Sequence, residues 1–143
     1  MKHPVHPLVV HFPIACWSLS TLGDLTGIVF SHNQAQAIVI LMFIGCISAI
    51  VAMAAGLYEV GKINNIDPIL TTVDRHMYAA VTAWCFYSLS LYLRWHDGFS
   101  NDPNSWAIIS SVIGLVSLII AGWYGANLVY QHGMGTTQDK LAD

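Results

Sequence analysis

Seven histidines occur in a chain of 143 residues of which 55% are hydrophobic and only 9% are charged. Imidazole is a ligand for zinc, copper and iron, including the iron of haem. His6 and His11 stand five residues apart in the stretch HPLVVHFPIA. On a helix, this spacing points the two side chains in different directions, about 7.5 Å apart along the axis. One helix can therefore supply ligands to two separate centres.

Four apolar runs must position these histidines, at about residues 8–30, 35–58, 77–95 and 106–130. Each run is close to the ~20 residues that a helix needs to cross a bilayer. Stretches of the second and fourth runs carry no charge, whereas every helix of a soluble bundle needs a polar outer face. We therefore expect an all-α integral membrane protein: a single domain over residues 1–143, folded as an up-down-up-down bundle of four transmembrane helices. We expect no internal repeat.

The composition excludes several classes of protein. A formal net charge of -3 without a basic cluster argues against nucleic-acid binding. No Cys-x-x-Cys-His motif is present, so covalent attachment of a c-type haem is excluded. The three cysteines fall in separate runs and are expected to be small core residues.

Four cations, Lys2, Lys62, Arg75 and Lys140, lie on the side of the termini and only Arg94 on the other, which predicts cytoplasmic termini.

Alternating helix directions bring four histidines from three helices to one membrane surface. The candidate ligands are His6 and His11 of the first helix, His76 at the start of the third and His132 just after the fourth, while His32 and His96 fall on the far side. Ligands of one iron must lie at similar depth, which favours His11 with His76 and His6 with His132. Pro13 removes the helical bond to Val9, and the expected kink would aim His11 inward.

A haem b with two axial histidines needs one imidazole from each of two facing helices, small residues beneath the ring and polar partners for its propionates. Small residues follow His76 (Ala79, Ala80, Ala83) and precede His132 (Gly122, Gly125, Ala126), and Arg75 lies at the same surface. Glu59 either hydrogen-bonds a ligand imidazole or forms a solvated helix end. Asp24, inside the first apolar run, is expected to pair with Arg94.

Three stretches together resemble a known family: HPLVVHFPIA, a glycine and an acid closing the second helix, and Leu-Val-Tyr-x-His-Gly closing the fourth. The family comprises small four-helix bacterial membrane proteins long classed as a domain of unknown function, and some members are linked to Rieske-type iron–sulfur domains. The resemblance covers the whole chain and implies a di-haem cytochrome b in the bacterial inner membrane. It places His6 and His11 in the opening motif and His132 in the closing one, whereas His76 is assigned by position.

The resemblance implies electron transfer between two bis-histidine haems b near one membrane surface, with quinol or a redox protein as partner. A Rieske-type partner would be a separate chain, because no such motif occurs here. Since both axial positions are filled, any oxidation of quinol or superoxide would occur without binding to the iron. Two alternatives stay open: a non-haem metal site built from histidine and glutamate, and a non-catalytic membrane subunit or scaffold whose histidines hold a partner. A homo-oligomer is compatible with either.

Overall fold

The computed structural model describes residues 5–30, 34–61 and 69–134, and these residues form helices without any strand. The helices are α1 (Val5–Val9), α2 (His11–Phe30), α3 (Ala35–Val60), α4 (Leu70–His96) and α5 (Ser105–Tyr130). The all-α class is confirmed. The main difference from the predicted spans is that α4 begins at Leu70, well before the apolar run at residue 77, so His76 lies within the helix.

The first predicted helix is interrupted at Val10, between α1 and α2. Pro13 has no N–H with which to bond the carbonyl of Val9, so the helical ladder loses one bond at this point. Hydrogen bonds from the Val10 N–H to the His6 carbonyl and from the Ile14 N–H to the Val10 carbonyl carry the chain through the break. The helix is thus interrupted near Pro13 as expected, but the prediction that His11 would be aimed inward was wrong, because His11 is exposed.

Three of the described helical stretches, His6–Phe30, Ala35–Val60 and Ser105–Tyr130, are long and apolar enough to cross a membrane. Their outer faces expose large apolar side chains such as Ile40 and Ile119, as helices surrounded by lipid do. Helix α4 has sufficient length, 27 residues, but its hydropathy is reduced by serine, threonine and charged residues. The prediction of a membrane protein is thus confirmed for three helices.

Helices α2 and α3 pack as an antiparallel pair. Contacts along α1 and α2 meet α3 in reverse order: Gly23 with Ile38, Trp17 with Gly45, and His6 with Gly56. Helices α4 and α5 pack in the same way, through the contacts of Ser90 with Ala107, Tyr87 with Gly114, and His76 with Gly125. The described chain is therefore built from two helical hairpins.

A stacked pair of aromatic rings joins the two hairpins at the middle of the bundle. The rings of Trp17 and Tyr87 lie 4.6 Å apart between centroids and are almost parallel, at 4°. Each ring covers a glycine on the second helix of its own hairpin, Gly45 for Trp17 and Gly114 for Tyr87. Together with the buried Met42, these residues form the centre of the core.

The expected pairing of Asp24 with Arg94 is confirmed. Arg94 Nη2 donates to Asp24 Oδ2 at 2.6 Å, and both side chains are at most 2% exposed. The Ser111 hydroxyl donates to the same carboxylate oxygen at 3.2 Å. A lone charge at such depth would be costly, whereas the pair with its additional hydrogen bond is satisfied within the bundle.

Breaking this ion pair from one side should destabilise the bundle. Asp24→Ala leaves Arg94 buried without its counter-ion, and we expect the free energy of unfolding to fall by about 3–5 kcal/mol. The double variant Asp24→Leu/Arg94→Met removes both charges and should lose much less. Circular dichroism during SDS titration from mild detergent micelles measures both losses. Equal losses in the single and double variants would contradict this account of the pair.

The approach of Trp17 to α3 depends on Gly45. A Cβ at this position would lie 2.5 Å from the indole ring, so Gly45→Ala should displace Trp17 and cost about 1–3 kcal/mol. Gly61→Ala, at the C-cap of the same helix, is the control, because its Cβ would meet only backbone at ordinary distances of 3.5 Å or more. The same SDS titration compares the two variants, and a Gly45→Ala protein as stable as the control would refute the close contact.

Candidate two-histidine site

The structure brings His6 of α1 and His76 of α4 together at one end of the bundle. Their ring centroids are 6.2 Å apart, and the ring planes are nearly perpendicular, at 88°. Both side chains are half-buried. We call this pair the two-histidine site.

A backbone carbonyl holds each imidazole. Nδ1 of His6 lies 2.8 Å from the carbonyl oxygen of Ala52 on α3, and Nδ1 of His76 lies 2.8 Å from that of Ala121 on α5. A carbonyl only accepts hydrogen bonds, so Nδ1 must carry the hydrogen in each ring. In the neutral imidazole, Nε2 then keeps its lone pair, the arrangement found in metal-binding histidines.

Two glycines allow the rings to reach these carbonyls. Gly56 follows Ala52 by one helical turn, and a Cβ there would lie 3.2 Å from His6 Nδ1. Gly125 stands in the same relation to Ala121, and its Cβ would lie 3.3 Å from His76 Cε1. Any larger residue would crowd the imidazole at either position. The absence of a side chain at both positions is therefore part of how the rings are placed.

The two hairpins are copies of one pattern, so the expectation that the sequence lacks an internal repeat was wrong. Trp17-Ser-Leu-Ser of α2 corresponds to Tyr87-Ser-Leu-Ser of α4. The sequence Ile-Gly-x-x-Ser-x-Ile-x-Ala-x-x-x-Gly occurs in α3 from Ile44 and again in α5 from Ile113. These matches are hard to recognise in the sequence, because apolar residues are abundant throughout the chain. The equivalent contacts made by the glycines in the two hairpins make the repeat evident.

Residues at equivalent positions of the two hairpins meet each other. His6 meets His76 at one end, Trp17 meets Tyr87 at the middle, and Asp24 meets Arg94 towards the other end. A residue can contact its own equivalent only close to a two-fold axis. The approximate two-fold axis of the chain therefore runs along the bundle between α2 and α4, and the two-histidine site lies on it.

The remaining predicted ligands lie apart from the site. His11 and His132 are exposed, and among the described residues neither forms a hydrogen bond or ring contact with the pair. The structure thus places His76 beside His6, not beside His11 as equal depth suggested. The reason is the repeat: His76 occupies the position in the second hairpin that His6 occupies in the first, whereas His11 corresponds to Val81.

The predicted polar partners take up positions around the pair. Glu59 Oε1 accepts a hydrogen bond from the backbone N–H of His6 at 3.4 Å, so the carboxylate contacts the start of α1 instead of the imidazole. Arg75 is exposed next to His76. Four other residues considered from the sequence, Lys2, His32, Lys62 and Lys140, fall outside the described residues, as does His3.

The donor set decides which kind of metal group the site can hold. No group of three or more histidine, cysteine, aspartate or glutamate side chains suited to one ion occurs within residues 5–30, 34–61 and 69–134. A protein-only centre of zinc or iron takes three or more protein ligands, whereas haem brings four nitrogens of its own and needs only two axial ligands. Among the described residues, the pair thus offers two imidazole ligands, the number that a haem iron needs.

The spacing and the surroundings also suit haem. With metal–nitrogen bonds of about 2 Å, two imidazoles on opposite sides of one metal have ring centroids about 6 Å apart, close to the 6.2 Å observed. The exposed Arg75 can pair with a propionate at the water boundary.

No curated protein and no solved structure matches this chain. The sequence profile of one family, described as predicted membrane protein DUF2231, matches residues 2–138. This match covers nearly the whole chain and agrees with the apolar helices of the structure. The chain therefore belongs to the DUF2231 family of predicted membrane proteins.

Proposed function

We propose that this protein is a membrane cytochrome b that carries electrons, with His6 and His76 as the axial ligands of a haem b. The observation that carries the proposal is the pair itself: two imidazoles from different hairpins, 6.2 Å apart, each with Nδ1 bonded to a helix carbonyl. These bonds fix the tautomer and the ring orientation before any metal arrives. A preset pair of this kind costs little reorganisation on binding.

A bound haem supplies a one-electron couple between ferric and ferrous iron. If His6 and His76 hold the iron from both sides, the iron would have no open coordination position for a substrate. The protein therefore exchanges electrons through the edge of the ring, with quinol or a redox protein as the partner, and a Rieske-type partner would be a separate chain. Superoxide oxidation would follow the same route without binding to the iron.

The resemblance to a di-haem protein adds a second haem near the same surface, for which His11 and His132 are the remaining candidates. Both are exposed at the ends of their helices. They are thus open to a cofactor at the edge of the bundle, but within the described part of the chain they lack the carbonyl contacts seen for His6 and His76. The number of haems per chain separates a one-haem from a two-haem protein.

The bundle in this proposal crosses the bacterial inner membrane four times, up-down-up-down, with both termini in the cytoplasm. What supports a fourth span is where the polar residues of α4 lie. Arg94 and Ser90 are buried and hydrogen-bonded, to Asp24 and to the Ala107 carbonyl respectively, while Leu89 and Trp95 are exposed. The low hydropathy of α4 thus comes in part from side chains that are satisfied inside the bundle.

The test is the visible spectrum of the detergent-purified protein, oxidised and reduced with dithionite, with the extracted haem counted per chain. We expect the sharp reduced bands of a low-spin haem b. A colourless protein from cells supplied with ample haem would overturn the proposal and leave the metal site or the scaffold.

Single substitutions assign the ligands. His6→Ala and His76→Ala should each remove the same haem, because each leaves only one protein ligand for that iron. His96→Ala, on the far end of α4, is the control and should retain the full spectrum. Retention of all haem in both ligand variants would exclude the two-histidine site as the binding site.

A count of two haems in the parent protein that falls to one in His11→Ala and in His132→Ala would support the second haem. Haem content unchanged in both variants would exclude these two histidines as its ligands. In either case the count in His6→Ala, measured by the same extraction, reports separately on the axial pair.

A further inference from the structure

The angle between the two imidazole planes is a property of the two-histidine site that neither hairpin has alone. Each hairpin supplies the same three parts: a histidine, an alanine carbonyl and a glycine one turn beyond that alanine. Since the approximate axis runs along the bundle, the two sets face each other across it. The angle between the imidazole planes, 88°, is therefore set by how each hairpin holds its own ring.

We infer that the protein holds the two imidazoles perpendicular to each other, and that Gly56 and Gly125 are the positioning residues that maintain this angle. The inference rests on the proposed function for its spectroscopic test. It concerns how the site is arranged, and the proposed function does not depend on it.

Each carbonyl fixes the position of Nδ1 in its ring but not the ring plane. An imidazole with Nδ1 bonded to the Ala52 carbonyl can still rotate about that hydrogen bond, and the surface of α3 limits the rotation. At Gly56 this surface lies so close that an added Cβ would be 3.2 Å from Nδ1 and 3.3 Å from Cε1 of His6. The ring thus lies directly against the glycine, and it would have to move by a few tenths of an ångström to make room for a methyl group.

The second hairpin repeats this arrangement independently. His76 is bonded to Ala121 at the same 2.8 Å and lies against Gly125, where a Cβ would be 3.3 Å from Cε1 and 3.4 Å from Nδ1. Two separate copies of the same contact argue that the close approach is a property of the repeated pattern. Either glycine can therefore be changed while the other half of the site stays as a reference.

The mutual angle of two axial imidazoles has a direct electronic effect on ferric low-spin haem. Parallel planes remove the degeneracy of the two iron orbitals that interact with the imidazoles, and the electron paramagnetic resonance spectrum shows three well-separated rhombic lines. Perpendicular planes leave these orbitals nearly equal in energy, and the spectrum is dominated by a single line at unusually large g. The oxidised protein is expected to show the large-g type.

The experiment is low-temperature electron paramagnetic resonance of the oxidised, haem-loaded full chain in detergent, with Gly56→Ala, Gly125→Ala and the control Gly61→Ala. The parent and the control should share the large-g line. Each of the other two variants should keep its low-spin optical spectrum while the resonance shifts towards the rhombic type. A second measurement, the midpoint potential of the haem, should move in both variants and stay constant in the control.

The outcomes separate the two proposals. Absence of haem in the parent protein refutes the proposed function, and the inference falls with it. A haem that depends on His6 and His76 but gives the rhombic spectrum keeps the proposed function and refutes the perpendicular arrangement. The large-g line unchanged in both alanine variants refutes the positioning role of the glycines.

Discussion

The site depends on one interaction: an imidazole nitrogen bonds a helix carbonyl that is accessible because a glycine lies one turn later in the helix. A carbonyl inside a helix already accepts the bond from the residue one turn later, and its second lone pair is normally covered by side chains. In this chain, the absence of a side chain at Gly56 and at Gly125 leaves the carbonyls of Ala52 and Ala121 accessible to a ring nitrogen. Each hairpin therefore offers a histidine with a fixed tautomer and orientation.

The approximate two-fold axis imposes a second constraint, because a residue on the axis always meets its own equivalent. Two carboxylates or two guanidinium groups would repel each other at that position, at a cost that a lipid-surrounded interior makes large. The chain has opposite charges there, Asp24 and Arg94, and two different stacked rings, Trp17 and Tyr87. Of the three pairs that meet across the axis, only the histidine pair has the same residue in both hairpins. Neutral imidazoles can face each other, and one metal between them would give both a shared partner.

The helices, the membrane setting and the ion pair could be predicted from the sequence. The first two depend on hydrophobicity over many residues, and the ion pair depends on the large free-energy cost of burying an unpaired charge. Long uncharged runs require lipid, and a lone buried Asp24 requires a cation such as Arg94. The pairing of the histidines was harder, since it depends on where α4 begins and on which carbonyls are accessible. Equal depth favoured His11 as the partner of His76, whereas the repeated hairpin makes His6 its equivalent. The repeat itself was overlooked because apolar helices resemble one another.

The repeat also bears on the proposed second haem. His11 has Val81 as its counterpart on α4, so the other hairpin provides no equivalent imidazole at that position. In a second site, the partner of His11 would have to be a residue that is not part of the repeat. His132, which follows the end of α5, is such a residue. A second haem held in this way would have unlike surroundings on its two faces and more contact with water than one on the axis. Because burial and hydrogen bonding of the ligands tune a haem potential, two such haems would differ in potential, and electrons would pass between unequal centres.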